Sequence, residues 1–501
     1  MTSPSMPPDP LPAEASAGAA QTVASTLRRN ALRDSVASAV RHALLHATRV
    51  EGSSAERRVV PSLSRTTRLP LTERTSANAQ LVPNWCRPNV AGWDPVITAA
   101  SNASRLAIGI CVGPTLQPLA SREGEPTLKS TTGAHFLGLD HIRGLAAFMV
   151  IAWHFIHGPW GYPVHFSAVP LVFPLVLFDE GHVGVALFMT LSGYLFAKLL
   201  DGKQINFGAF LWNRCLRLLP LLLLVIVVAG ALAYRSGQFP AYLNNVARGW
   251  YAPTLPNGGW SITTEFHFYL VLPLLLAFSR WSRYAPLAFV ALGIATRCVI
   301  YLSGQPVEPL AYWTIVGRID QFALGVVAFN LSHLMTRKHV LAAVIFTAFC
   351  AIYTAFDIAG GNYLPVYPSK SELWIILPTI EGVCFAALIA WYDRSFDWRD
   401  SRVAALLGKP GDYSYSIYLL HFFFVFRAAT FIDQHVMSLS NFYVALAWAA
   451  IFYAAMVPIG YLSYRFIEAP FLRARRRYVV APSDRAEGSV TQSKKVAQVN
   501  P

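Results

Sequence analysis

Charged residues are scarce in this chain. Asp, Glu, Lys and Arg make up 14% of its 501 residues, against a hydrophobic share of 54%. Soluble globular domains carry about 25% charged residues, so the composition excludes an ordinary soluble globule. Cysteine is sparse too. Cys86, Cys111, Cys215, Cys298, Cys350 and Cys384 are scattered, with no C-x-x-C or metal-ligand spacing. Most lie in apolar segments, where a cysteine behaves as a small hydrophobe. No disulfide framework and no metal centre are expected. The opening "MTSPSMPPDP" lacks a basic stretch followed by an apolar core, so it is not read as a signal peptide. No internal repeat is visible, which argues against transporters built from repeated halves.

Acidic residues are outnumbered, and the net charge is +14. Such a balance can mark a nucleic-acid binder. In a chain this apolar, Lys and Arg instead collect in cytoplasmic loops, so no nucleic-acid partner is expected. Residues 1–130 are rich in Ala, Ser, Thr, Pro and Arg without periodicity, and read as a disordered extension. The faint span "VITAASNASRLAIGICVG" within it is interrupted by Arg105. From Gly138 onward, apolar runs long enough to cross a bilayer fall at 138–157, 183–200, 216–234, 260–278, 285–303, 311–331, 340–356, 373–392, 414–432 and 442–466. The expected fold is all-α: a polytopic membrane protein with about ten transmembrane helices. The domain spans 131–472, and 473–501 form a basic, flexible cytoplasmic tail.

Loop charges orient the bundle. With the N-terminus in the cytoplasm, sixteen loop and tail Lys and Arg, from Lys198 to Arg477, share that side. Only Arg235, Arg248 and Lys370 fall opposite. This is a positive-inside asymmetry, and it places both termini in the cytoplasm.

Ionisable residues inside spans are costly and are usually functional. The first span, "LDHIRGLAAFMVIAWHFIHG", carries Asp140, Arg143, His154 and His157. Eleven residues bring Arg143 and His154 to nearly one face, ~16 Å apart along the axis. Asp140 and Arg143 are spaced to pair. His154 suits a general base or a hydrogen-bonded strut. His157 is expected to be dispensable for activity. In "GHVGVALFMTLSGYLFAKLL", Gly181, Gly184, Ser192 and Gly193 allow close helix approach. "NRCLRLLP" sets Arg214 and Arg217 on one face, which suits a phosphate-bearing ligand or plain topology. "GGWSITTEFHFYLVLP" adds Glu265 and His267. "GRIDQFALG" carries Arg318 and Asp320, which a neutralising pair would also explain. "GDYSYSIYLLHFFF" carries His421, which a tie between helices would also explain. "SYRFIEAPF" adds Arg465 and Glu468.

In this order, these motifs resemble the integral-membrane acyltransferase family called acyltransferase 3. The resemblance runs from Arg143 with His154, through Gly181 to Leu195, Arg214 with Arg217, Trp260 to Tyr269, Arg318 to Gly325 and Ser414 to His421, to Ser463 through Pro470. It covers about 138–472. The departures are His141 for Leu or Ile, Met189 for Phe, and Phe266 with His267 where many members have Glu-Gln. The short tail is not expected to build the hydrolase-like domain that follows in many relatives. The resemblance implies transfer of an acyl group, usually acetyl, from cytoplasmic acyl-coenzyme A to a hydroxyl. The implied acceptor is a glycan, a glycolipid or another hydroxylated molecule at the outer face of the inner (plasma) membrane, and membrane lipid surrounds the protein. His154 and Arg143 are the implied catalytic residues, and Arg214 and Arg217 the implied donor site. Ser192, Glu265, Arg318 and His421 are further candidates. A transporter or flippase with an intramembrane path through Arg143, His154, Glu265 and His421 is the alternative.

The charge asymmetry is testable with reporter fusions. Fusions at Gly202 and at the C-terminus should report a cytoplasmic location, and one near Pro306 a periplasmic location. A periplasmic C-terminus would overturn the topology.

Overall fold

Apolar runs without polar partners must satisfy their backbone internally, and the helix is the way a single segment does so. The computed structural model describes residues 136–159, 161–359, 361, 371–398 and 401–480, all within one compact unit, Thr75–Pro501. Residues 1–130, read above as a disordered extension, lie outside the described residues. Among the described residues the fold is all-α apart from one two-residue antiparallel pairing of Gln204–Ile205 with Val479–Val480.

The main helices are α1 (Leu137–His157), α2 (Gly184–Leu200), α3 (Phe207–Arg235), α4 (Phe239–Arg248), α5 (Trp260–Trp281), α6 (Leu287–Leu302) and α7 (Ile315–Asn330). They are followed by α8 (His339–Ile358), α9 (Leu377–Ser395), α10 (Arg402–Asp412), α11 (Ser414–Leu420), α12 (Val425–His435) and α13 (Phe442–Ser463). Side-chain caps set several starts. Asn206 accepts from Ala209 N, Thr314 from Gly317 N, Ser401 from Ala404 N, and Asn441 from Tyr443 N.

Each of the ten apolar runs is helical. Among the described residues, six helices are long and apolar enough to cross a membrane, or seven if Ser414–Phe423 and Val425–His435, bent by 55°, form one span. Exposed Leu223, Val227, Leu292, Val344 and Ile451 give the outer surface its apolar character. Helices α6 and α7 have 16 residues each, shorter than the roughly 20 that a bilayer needs. Those two, with α9, hold a buried polar network. Arg297 of α6 reaches Asp320 of α7 at 2.7 Å and Thr379 of α9 at 2.8 Å. Gln321 of α7 reaches Glu381 of α9 at 2.7 Å.

The innermost contact is α2 against α7. A Cβ on Gly193 would collide with the Phe322 carbonyl oxygen, and one on Gly325 with the Thr190 carbonyl oxygen. The small residues at 181, 184 and 193 therefore serve the close approach read from the sequence, with Gly181 and Gly184 against α1. Ser192 points elsewhere, into a cavity.

Gly193→Ala should destabilise the bundle by about 1–3 kcal/mol, the usual cost of overpacking. Leu292→Ala, on the exposed face of α6, should stay within about 0.5 kcal/mol. Thermal unfolding of both variants in one detergent checks this, and equal midpoints would refute the close α2–α7 contact.

Candidate functional site

A cavity of about 1400 Å³ opens between α1, α2, α3, α5, α10 and α11 and the residues after α13. Arg143, Ser192, Arg214, Arg217 and Glu265 all line it. Seven cationic side chains face it (Arg143, Arg214, Arg217, Lys409, Arg465, Arg473 and Arg475), against Asp140, Glu265 and Asp412. That surplus calls for an anionic ligand.

Arg214 and Arg217 sit one turn apart on α3, so both reach the cavity. Arg217 Nη1 donates to Glu468 Oε2 at 2.7 Å, between the rings of Tyr415 and Tyr464, each 5.8 Å away. Glu468 is 1% exposed and ends a π-helical turn, Tyr464–Glu468, a form common at functional sites. Its other oxygen accepts from Ser416, whose Oγ lies 3.0 Å from the Ser463 hydroxyl and can accept from it. Three motifs that are separate in sequence thus form one hydrogen-bonded unit. Arg214 lies 5.4 Å from the Phe196 ring and 5.6 Å from that of Phe210, and its buried Nε has no hydrogen-bond partner. Glu265 accepts from Tyr269 within its own helix.

On α1, Arg143 Nη1 pairs with Asp140 Oδ1 at 2.6 Å, as the i,i+3 spacing implies. His154 lies beyond the cavity. Its Nδ1 meets the Val150 carbonyl oxygen at 2.8 Å, and His421 Nδ1 meets the Tyr418 carbonyl oxygen at 2.6 Å. A carbonyl only accepts, so each Nδ1 carries a proton. His421 Nε2 then accepts at 3.4 Å from His154 Nδ1, and His154 Nε2 is left as the proton acceptor of the neutral ring. Rings of Trp153, Phe422 and Phe426 surround His154. Tyr418 and Ser261 form the cavity floor on this side, joined at 2.9 Å. One residue, Tyr418, therefore lines the cavity with its ring and holds His421 with its carbonyl.

Two expected residues fall elsewhere. Arg318 is 2% exposed and outside the cavity lining. It donates to the Tyr312 carbonyl at 2.5 Å and to Gln321 at 3.0 Å, with its guanidinium 4.6 Å from the Tyr312 ring. It does not neutralise Asp320, because i and i+2 positions point to opposite sides of a helix. Asp320 pairs with Arg297. His157, expected to be dispensable, is 1% exposed and bonds the Val164 carbonyl at 3.1 Å and the Asp179 carbonyl at 3.2 Å. The ring also faces the Asp179 carboxylate at 3.2 Å. It is a strut, and removing it removes fold stability. Sequence spacing could not reveal Glu468, Arg297 or Asp179 as partners, since each contact crosses between elements far apart in the chain. Among the described residues, no group of three or more His, Cys, Asp or Glu is arranged to hold a metal.

The helices and the cationic cavity define a membrane protein built around a positively charged chamber. Residues 136–465 match the acyltransferase domain family, and the chain belongs to it. It is 25% identical over 388 residues to peptidoglycan O-acetyltransferase OatA of Listeria monocytogenes, covering 66% of this chain and 55% of that protein. It is 26% identical over 328 residues to exopolysaccharide production protein ExoZ of Rhizobium meliloti, covering 61% of this chain and 94% of the relative. Acyltransferase MdmB of Streptomyces mycarofaciens is 24% identical over 352 residues, with 61% of this chain and 85% of the relative covered. The chain thus spans about half the length of the Listeria relative. No solved structure matches at a significant level.

The Arg217–Glu468 pair makes a specific prediction. Glu468→Ala leaves Arg217 facing the cavity without its carboxylate and should cost about 3 kcal/mol of stability. Replacing both partners, Arg217→Met with Glu468→Leu, should recover much of that loss. Unfolding midpoints of the three variants in detergent decide it. A silent Glu468→Ala would mean the pair holds nothing together.

Proposed function

We propose that the chain is an integral-membrane O-acyltransferase. It moves an acyl group, typically acetyl, from cytoplasmic acyl-coenzyme A to a hydroxyl of a glycan or glycolipid at the outer face of the inner (plasma) membrane. The observation that carries this reading is the arrangement of one cavity: an excess of arginine along its walls, and a histidine pair directly behind its floor. The phosphates of the donor meet Arg214 and Arg217, whose planar forks match phosphate oxygens. The thioester end then points toward Tyr418 and the histidines.

In the reaction, His154 Nε2 takes the proton of the acceptor hydroxyl. The oxygen attacks the thioester carbon, a C–O bond forms and the C–S bond breaks. The proton passes to the departing coenzyme A sulfur. His421 and the Val150 carbonyl fix the His154 tautomer, so the base is oriented before the substrate arrives. Arg143 sits ~16 Å from His154 along the helix, inside the chamber, and acts on the donor. The named relatives support the acceptor class. Two carry glycan terms in their names, peptidoglycan and exopolysaccharide.

His154→Ala should lower acetylated product by roughly two to four orders of magnitude, while expression and donor binding survive. His157→Ala should instead reduce the amount of folded protein. Product is measured in membranes holding equal amounts of each folded variant, with consumption of acetyl-coenzyme A by purified protein alongside. Near-normal turnover in His154→Ala would remove the histidine from the chemistry. An absence of donor consumption by the wild-type protein in the presence of acceptor would favour transport.

A further inference from the structure

Residues 473–480, which follow the last helix, stay packed against the bundle. Asn213 of α3, fully buried, donates its Nδ2 to the Arg476 carbonyl at 2.7 Å and accepts from the Arg476 amide at 2.8 Å. Trp212 donates to the Ala474 carbonyl at 3.3 Å, and the Arg476 guanidinium lies 5.4 Å from its ring. The Asn206 amide donates to the Tyr478 carbonyl at 2.8 Å. Tyr478 is 3% exposed and packs edge-on against Phe210 at 5.7 Å. The pairing of Ile205 with Val479 and of Gln204 with Val480 completes the anchorage.

Between these anchors and α13, Arg473 and Arg475 line the cavity together with Arg214 and Arg217. They lie beyond residue 465, where the family match ends. Burial, and then the neighbouring Arg214 and Arg217 guanidiniums, hold Arg475 below the ordinary arginine value, with Tyr464 opposing. Like charges gathered at one cavity edge are unfavourable unless an anion joins them. The buried Arg214 Nε without a partner points the same way. A donor that inserts thioester first has a fixed order of charges. Its pyrophosphate is the nearer group to the thioester, and the ribose 3′-phosphate is the farther one. Two separate elements, α3 and the arm, each bring a pair of arginines to this one cavity, enough for two phosphate groups.

We propose that Arg473 and Arg475 form a second phosphate site that takes the 3′-phosphate of coenzyme A, while Arg214 and Arg217 take the pyrophosphate. This rests on the acyl-coenzyme A reading above. The arm thereby makes the enzyme selective for coenzyme A over thioesters that lack the 3′-phosphate.

The test uses the full chain, purified in detergent, with acetyl-coenzyme A and its 3′-dephospho analogue as probes. The wild type should bind acetyl-coenzyme A on the order of tenfold or more tighter than the analogue, the scale of a lost charge-assisted hydrogen bond. The Arg473→Ala/Arg475→Ala double variant should bind both probes alike, at the wild-type affinity for the analogue. Arg477→Ala, exposed on the same arm and outside the cavity lining, should keep the discrimination. Equal wild-type affinities would overturn the proposal without a variant being made. A double variant weakened equally toward both probes would overturn it as well. Binding of neither probe by the wild type would overturn the donor assignment itself, and the arm site with it.

Discussion

The ion pair between Arg217 and Glu468 is the contact on which the cavity depends. A carboxylate that is 1% exposed in an apolar bundle is tolerable only when it is paired and fully hydrogen-bonded. Glu468 meets both conditions by drawing Arg217 from α3 and Ser416 from α11. Three elements are fixed together at one point, and the rings of Tyr415 and Tyr464 close around the guanidinium. The cavity wall is therefore a consequence of satisfying one buried charge. The same fixation aims Arg217 into the chamber beside Arg214, whose own Nε finds no protein partner.

The same constraint shapes α6 and α7. Arg297 is fully buried and spends its donors on Ile375 O, Gly317 O, Asp320 and Thr379. Asp320 and Gln321 on α7 and Glu381 on α9 are buried as well. Helices that carry such groups lose apolarity as isolated segments but gain partners inside the bundle. Their polar faces meet one another, while α3 and α8 are mostly exposed and carry long apolar runs. Low apolarity in α7 thus marks an interior position.

Much of this was legible in the sequence, and the limit has a physical cause. Apolar runs located every main membrane helix, because helix formation there depends on local composition. The Asp140–Arg143 pair and the shared face of Arg214 and Arg217 followed from helical periodicity alone. The small residues 181, 184 and 193 announced close packing, though not against which helix. Partners across elements were not legible. Glu468 lies 251 residues from Arg217, and no local pattern connects them. Asp320 looked like the partner of Arg318 because the two are adjacent in sequence, yet the helix turns them apart. His157 looked spare because Asp179 belongs to the connection after α1, whose fold no periodicity describes.

The separation of the cavity from His154 has a chemical consequence for the proposed reaction. Keeping water away from an acyl group activated for transfer favours acylation over hydrolysis. Tyr418 lines the cavity, with its hydroxyl bonded to Ser261 and to the Gly258 carbonyl at 3.1 Å. On one side lies the arginine-rich chamber. On the other lie His421 and then the half-buried His154, ringed by Trp153, Phe422 and Phe426. In the proposed reaction a donor held by its phosphates presents its acyl end toward Tyr418, and the acceptor hydroxyl meets it at the histidines. In the proposed reaction His154 works from beyond Tyr418, with its ring oriented by Val150 and His421. That placement fits a reaction whose two substrates never share a solvent compartment.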